Sequence, residues 1–210
     1  PRTDGRRTYS CEENTVKFNR LILPLCLAIS ACASEPLSIS YYLLSTPSAE
    51  QARMQAMTEK KVLAIEDVEM AAYLRQSGIV MQTSGSQLQI SKQHLWAENL
   101  ELSVPKYLAT AMQSQSTNYQ VYVRNLDYVP SAHYSLRLHI DNLQATDQGE
   151  VVSSGRYQLI DNEDSKQSIT VDFYFERDLQ EDGYSHAVAK IRELLSDIAT
   201  DVISTAETFK

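Results

Sequence analysis

The sequence predicts an α+β fold: a mostly antiparallel sheet with two main amphipathic helices packed on one face. Three observations predict it. Apolar residues alternate strictly in Tyr134, Leu136, Leu138, Ile140 and again in Ile169, Val171, Phe173, Phe175, the period of a half-buried strand. Spacings of three and four recur in Leu100, Val104, Leu108, Ala111, Met112 and in Val188, Ile191, Leu195, Ile198, Val202, the period of a helix with one buried stripe. Turn residues at Asp147-Gln148-Gly149 and Asn162-Glu163-Asp164 join consecutive strands into a meander, and a sheet covered by helices on one face is an α+β arrangement.

The remaining elements follow in chain order. Ile39 to Leu44 is rich in β-formers and is closed by Thr46-Pro47, a first strand. Residues 48–60 are polar and weakly periodic, and read as a loop or short helix. Lys61 to Val68 alternates as a strand. Gly78 to Gln82 and Gln87 to Ile90 flank Thr83-Ser84-Gly85-Ser86, a hairpin. In the helix over Glu98–Gln115, Pro105 has no N–H to donate, so it must lie in the first turn, with Ser103 as N-cap, or make a kink. Tyr119 to Arg124 alternates as another strand, Val151 to Ile160 forms the middle of the meander, and the last helix starts near a cap at Ser185 after the break at Asp182-Gly183.

The head of the chain reads as an address. Lys17 and Arg20 precede the apolar run from Leu21 to Ala31, and Cys32 follows it directly. Eleven helical residues reach about 16 Å, and crossing the hydrocarbon takes about 20 residues, so the run fits a removable signal better than a permanent span. Ile29-Ser30-Ala31-Cys32 resembles the bacterial lipobox, whose cysteine is acylated and becomes the new amino terminus. Two or three acyl chains, at about 0.8 kcal/mol per buried CH₂, hold a protein on a bilayer where one is marginal. Ala33 follows the cysteine where lipoproteins kept in the inner membrane commonly carry Asp, which favours the outer membrane, on its periplasmic face. Residues 1–15 are expected to be an upstream extension, with Val16 read from a GTG start; 16–31 form the signal peptide, 32–38 the lipidated tether and 39–206 a single periplasmic domain.

Charge and cysteines restrict the function. The net charge is -8, and residues 1–31 hold five bases (Arg2, Arg6, Arg7, Lys17, Arg20) against three acids (Asp4, Glu12, Glu13), which leaves -10 beyond them. So acidic a domain lacks the cationic footprint for nucleic acid or for electrostatic docking on anionic lipid. Its three cysteines, Cys11, Cys26 and Cys32, all lie in the head, so the domain holds neither an internal disulfide nor a thiolate metal site.

No catalytic constellation stands out. His94, His133, His139 and His186 lack metal-ligand spacing and read as surface histidines, and Ser84-Gly85-Ser86 lacks the glycines of a nucleophile elbow. Glu66, Asp67 and Glu69 could form an acid/base pair, but so many carboxylates yield such neighbours by chance. Trp96 either fills the gap between sheet and helix or is a partner hot spot. The chain is therefore expected to be no enzyme, with no cofactor and no metal.

With these segments in place the chain resembles the PqiC (YmbA) family of ABC-type and MCE-type transport auxiliary lipoproteins. The marks are the lipobox at Cys32, Tyr41-Tyr42-Leu43-Leu44, Tyr73-Leu74 before Gly78-Ile79-Val80-Met81-Gln82, Leu95-Trp96-Ala97-Glu98-Asn99-Leu100 and Asp182-Gly183-Tyr184. Ala72 and Asn99 stand where the family usually has proline, which touches local turn geometry. The resemblance implies a non-catalytic adaptor for intermembrane lipid transport and membrane integrity, working with a PqiB-like MCE protein and a PqiA-like inner-membrane protein. A symmetric MCE assembly would present several equivalent docking points, which suits a homo-oligomer. The lipid-attachment residue is Cys32, and Tyr73, Leu74 and Trp96 are candidate partner contacts. A lipid- or small-molecule-binding carrier and an activator lipoprotein of a cell-wall synthase are the competing readings.

Overall fold

A computed structural model describes residues 38–44, 60–163 and 167–209. They form eight strands, two α-helices and one 3-10 helix: β1 (Ser40–Tyr42), β2 (Lys61–Met70), the 3-10 helix Ala72–Arg75, β3 (Gly78–Ser84), β4 (Gln87–Trp96), α1 (Leu100–Gln115), β5 (Tyr119–Val123), β6 (Tyr134–Ala145), β7 (Glu150–Asp161), β8 (Ser168–Asp178) and α2 (Tyr184–Thr208). All lie in one compact unit, Ser38–Lys210. Cys32 and residues 48–59 lie outside the described residues.

The strands make one sheet in the order β1-β4-β3-β6-β2-β5, and β7 and β8 extend it from the other edge of β6. The long ladders β6/β7 and β7/β8 and the β3/β4 hairpin are antiparallel, as the meander and hairpin patterns predict. The pairs β1/β4, β2/β5, β2/β6 and β3/β6 are parallel. The division follows connection length: a short turn can only reverse a strand, whereas each parallel pair is separated in sequence by other elements. The fold class is thus α+β, with a sheet that is mixed at its centre.

The helix boundaries differ from the sequence expectation. Asn99 caps α1, its side chain accepting from the Glu101 amide at 3.0 Å, so Ser103 is an interior helical residue, buried, and not the cap. Pro105 consequently sits in the second turn, where the carbonyl four residues earlier loses its amide partner. At α2 the cap position is Gly183, with φ 122°, a conformation that an L side chain rarely adopts; Ser185 lies within the first turn.

The core lies between the sheet and the helices. From α2 it takes Val188, Ile191, Leu195, Ile198 and Val202, each at most 3% exposed, and from α1 Leu100, Val104, Leu108 and Met112. Facing them are Leu63 and Ile65 of β2, Leu136, Leu138 and Ile140 of β6, and Tyr157 and Leu159 of β7. Each such aliphatic side chain contributes about 1.5–3 kcal/mol of burial, far more than any surface ion pair in the domain.

Candidate functional site

The chemistry-bearing residues are engaged in structure. Glu66 accepts from Arg124 Nε at 2.8 Å, from Arg124 Nη2 at 2.6 Å and from Ser135 Oγ at 2.9 Å. The Arg124 hydrogen bond holds its carboxyl below the usual range, against the opposing effect of burial, so it is a poor proton acceptor. Asp67 and Glu69 point from β2 toward Arg137 and His139 of β6, on the solvent-facing side of the sheet. No group of three or more His, Cys, Asp or Glu among the described residues is placed to hold a metal ion.

The histidines are half-buried rather than bare surface groups. His133 Nδ1 accepts from the Val62 amide at 3.0 Å, and His139 lies between Glu69 at 3.3 Å and Asp141 at 3.2 Å. His94 stacks on Tyr184 with ring centroids 3.8 Å apart. His186 Nε2 is buried with no partner among the described residues. Their polar partners are backbone groups and neighbouring strands that a linear reading does not bring together.

Tyr73, Leu74 and Trp96 are brought to neighbouring parts of the fold, but only Tyr73 reaches the surface. Leu74 is 1% exposed and Trp96, the last residue of β4, is 7% exposed; both pack into the core. The Tyr73 hydroxyl lies 2.8 Å from the Asp141 carbonyl, 2.8 Å from Gln144 Oε1 and 3.1 Å from Asn142 Oδ1, where the β6/β7 register shifts between Ile140 and Asn142. Its single proton serves one of these oxygens at a time, and desolvation raises its pKa. In this fold the Tyr73-Leu74 pair therefore plugs the core from the 3-10 helix and fastens the bulge of β6.

The attachment of β1 to the rest of the domain is built more elaborately than the sequence suggests. Tyr42 of β1 shares a 2.9 Å hydrogen bond with His94 Nδ1, the same ring that stacks on Tyr184 at the start of α2. Arg192, about two turns further along α2, donates from Nε to the Leu44 carbonyl at 2.7 Å and from Nη2 to the Leu43 carbonyl. The Arg192 carbonyl in turn accepts from Tyr107 of α1 at 3.0 Å. A three-residue strand paired among the described residues with β4 alone would fray by itself; Arg192 fastens its end to α2, which Tyr107 ties to α1. Sequence reasoning missed Arg192, because it lies on the polar side of a helix 148 positions away from its partner.

The recesses among the described residues are open, and their linings mix charged and apolar side chains. One of about 320 Å³ lies over the outer sheet face, against Asp67, Glu69, Arg137, His139 and Arg156. Another, of about 510 Å³, runs between Lys106, Thr110 and Gln113 of α1 and the edge of β5. No helix among the described residues is long and apolar enough to cross a membrane.

Known proteins place these features in a family. The sequence is 25% identical over 183 residues to the intermembrane transport lipoprotein PqiC of Escherichia coli (strain K12), covering 87% of this chain and 94% of that one. The PqiC of Shigella flexneri matches with the same figures. The fold is similar to the crystal structure of an uncharacterized protein, with TM-score 0.68 and 24% identity over 80% of this chain and 99% of that one. A crystal structure of a Xanthomonas campestris protein has TM-score 0.57 at 13% identity, covering 80% and 94%. The family described as ABC-type transport auxiliary lipoprotein component matches residues 42–203. The chain belongs to the ABC-type transport auxiliary lipoprotein component family.

Proposed function

We propose that the protein is a non-catalytic adaptor of an MCE-type intermembrane lipid-transport system, anchored by acyl chains on Cys32 to the periplasmic face of the outer membrane. Its partners in this reading are a PqiB-like MCE protein and a PqiA-like inner-membrane protein. Residues 16–31 act as the signal peptide, 32–38 as the tether and 39–206 as the periplasmic domain. The observation that carries the adaptor reading over the carrier reading is the use of the apolar surface. Both helix stripes are spent against the sheet, Leu108, Leu136, Leu159 and Ile198 being fully buried, and the recesses just described are open to solvent and not enclosed chambers. A lipid carrier needs an enclosed apolar chamber; a docking domain needs a rigid body with a polar exterior. The names of the PqiC relatives and the lipobox pattern at Cys32 support the transport context and the anchor.

The test is to isolate the processed, full-length protein from outer membranes. It should co-purify with the MCE protein encoded beside it, and its extracts should contain no lipid beyond the covalent acyl chains. Cys32→Ala should leave the precursor uncleaved and remove it from the outer-membrane fraction. About one extractable lipid per chain, with no MCE protein by co-purification or crosslinking, would favour the carrier. Recovery with a cell-wall synthase in place of MCE protein would favour the activator reading, and normal fractionation of the Cys32→Ala protein would end the anchor assignment.

A further inference from the structure

The strand that follows the tether carries its apolar residues on both faces. Tyr42 and Leu44 point inward, Leu44 being 2% exposed, while Ile39, Tyr41 and Leu43 are 51%, 64% and 46% exposed. In β1 Tyr41 faces opposite to Tyr42, away from the core, and Ile39 and Leu43, which flank the strand, are exposed with it and make a short apolar row. Leu95 of β4, paired with Tyr41, adds a half-buried aliphatic neighbour to that row. From Ile39 to Leu44 there is no charged side chain, in a protein in which 22% of residues are charged.

We infer that the Ile39-Tyr41-Leu43 row is a second, apolar contact with the lipid surface to which Cys32 is anchored. The inference rests on the reading of Cys32 as the lipid-attachment residue. Ile39 lies seven positions after Cys32, and at up to about 3.6 Å per step that holds the row within roughly 25 Å of the acylated end. Three half-exposed side chains partition too weakly to bind a membrane from solution, but a short tether makes the contact intramolecular and raises its effective concentration. A tyrosine flanked by aliphatic residues is the chemistry that settles at the headgroup level, with the ring apolar and the hydroxyl wet. The remainder of the domain is acidic and is repelled by anionic headgroups, which leaves the uncharged row as the favoured side. Arg192 fixes the carbonyls of Leu43 and Leu44 to α2, so contact through the row orients the whole domain instead of one loose strand.

The mature chain after Cys32 has no other cysteine, so one introduced thiol labels one position. The acylated full-length protein is reconstituted in vesicles of phosphatidylethanolamine and phosphatidylglycerol, with an environment-sensitive fluorophore on Tyr41→Cys. Tyr128→Cys and Tyr174→Cys, at side chains 92% and 62% exposed, serve as controls. The label at 41 should shift to the blue and lose intensity to spin-labelled lipid, and the labels at 128 and 174 should do neither. Tyr41→Cys with Ile39→Ser and Leu43→Ser should stay vesicle-bound yet lose the blue shift. The proposal is overturned if the label at 41 behaves like that at 128 on protein that floats with the vesicles. It is equally overturned if label 41 becomes shielded only when MCE protein is added, or only as protein density rises, which would make the row a protein interface. Failure of the acylated protein to float would overturn the anchor reading itself, and the row with it.

Discussion

Arg192 Nε donates to the Leu44 carbonyl at 2.7 Å, joining the last helix to the end of the first strand across 148 positions of sequence. Arg192→Ala removes this bond and the companion bond to Leu43. Two charge-assisted bonds at a half-buried site are worth about 1–3 kcal/mol together. The loss should fall locally: the Ala97 amide, which donates to the Tyr42 carbonyl at 2.8 Å, should exchange with solvent much faster, and amides in β7 only as fast as the lowered global stability allows. Hydrogen exchange by NMR separates the two. Uniform acceleration in β1 and β7 would show that Arg192 supports the whole domain and not the strand.

How far this arrangement was legible depended on periodicity. The strands β6, β7 and β8 and both helices declare themselves because one face is buried and the other wet, so the alternation survives in sequence. The extension of β4 to Trp96 does not, because most of the strand is exposed on both faces and its pairing with β3 shifts between Gly78/Leu95 and Val80/Ile90. Within that shift Ser91 Oγ accepts from the amides of Gln93 and His94, a local turn chemistry with no period. The Asn99 cap was readable in principle from Asn99-Leu100-Glu101, but Pro105 drew the expected start of the helix to Ser103. The parallel pairings, and the tie of Tyr73 to the β6 bulge, depend on long-range contacts that no local pattern records.

The Glu66–Arg124 pair makes a pH prediction. The folded-state pKa of Glu66 lies below the ordinary carboxyl value, so the pair stabilises the native state above the unfolded carboxyl range, and that stability is lost as the pH falls through the lowered pKa. Arg124 is 42% exposed, and screening limits the contribution to about 1 kcal/mol. Glu66→Gln should therefore lower stability near neutral pH and converge with the wild type in acid. Asp197 contributes the opposite sign: burial raises its pKa despite Arg177, so its contribution grows as the pH falls. Urea denaturation across pH, for both Glu66→Gln and Asp197→Asn, checks the two slopes.

Gly155 is the position where the β6/β7 ladder tolerates no side chain. A Cβ there would stand 2.0 Å from the His139 carbonyl oxygen and 3.1 Å from Ile140 Cα, both backbone atoms that cannot rotate away. Gly155→Ala should cost about 3 kcal/mol or more, as an overpacked interior does, or yield insoluble protein. Unfolding midpoints measure it, and a change below about 1 kcal/mol would mean that the two strands can slide apart at the bulge.

Two polar residues on the helix side of β7 are expected to respond in opposite directions. Tyr157 is buried, and its hydroxyl lies 2.8 Å from Asp201 Oδ2 and 2.7 Å from Thr205 Oγ1 of α2; burial raises its pKa well above the ordinary range. Tyr157→Phe keeps the ring and strips those partners, which should cost about 1–2 kcal/mol. Ser153, four residues earlier and on the same face, is fully buried, and its Oγ has no hydrogen-bond partner among the described residues. An orphan hydroxyl in an apolar contact carries its desolvation cost without return, so Ser153→Ala should be neutral or stabilising by up to about 1 kcal/mol. For a domain of this size that corresponds to a rise of about 2–4 °C in Tm, set against a fall of similar or larger size for Tyr157→Phe. Four residues along a strand span about 13 Å, so the two effects should add in the double variant, and coupling would show that the helix shifts to satisfy Ser153 when Tyr157 is removed. A marked destabilisation by Ser153→Ala would refute the unpaired hydroxyl and point to a hydrogen-bonded water at the β7–α2 contact.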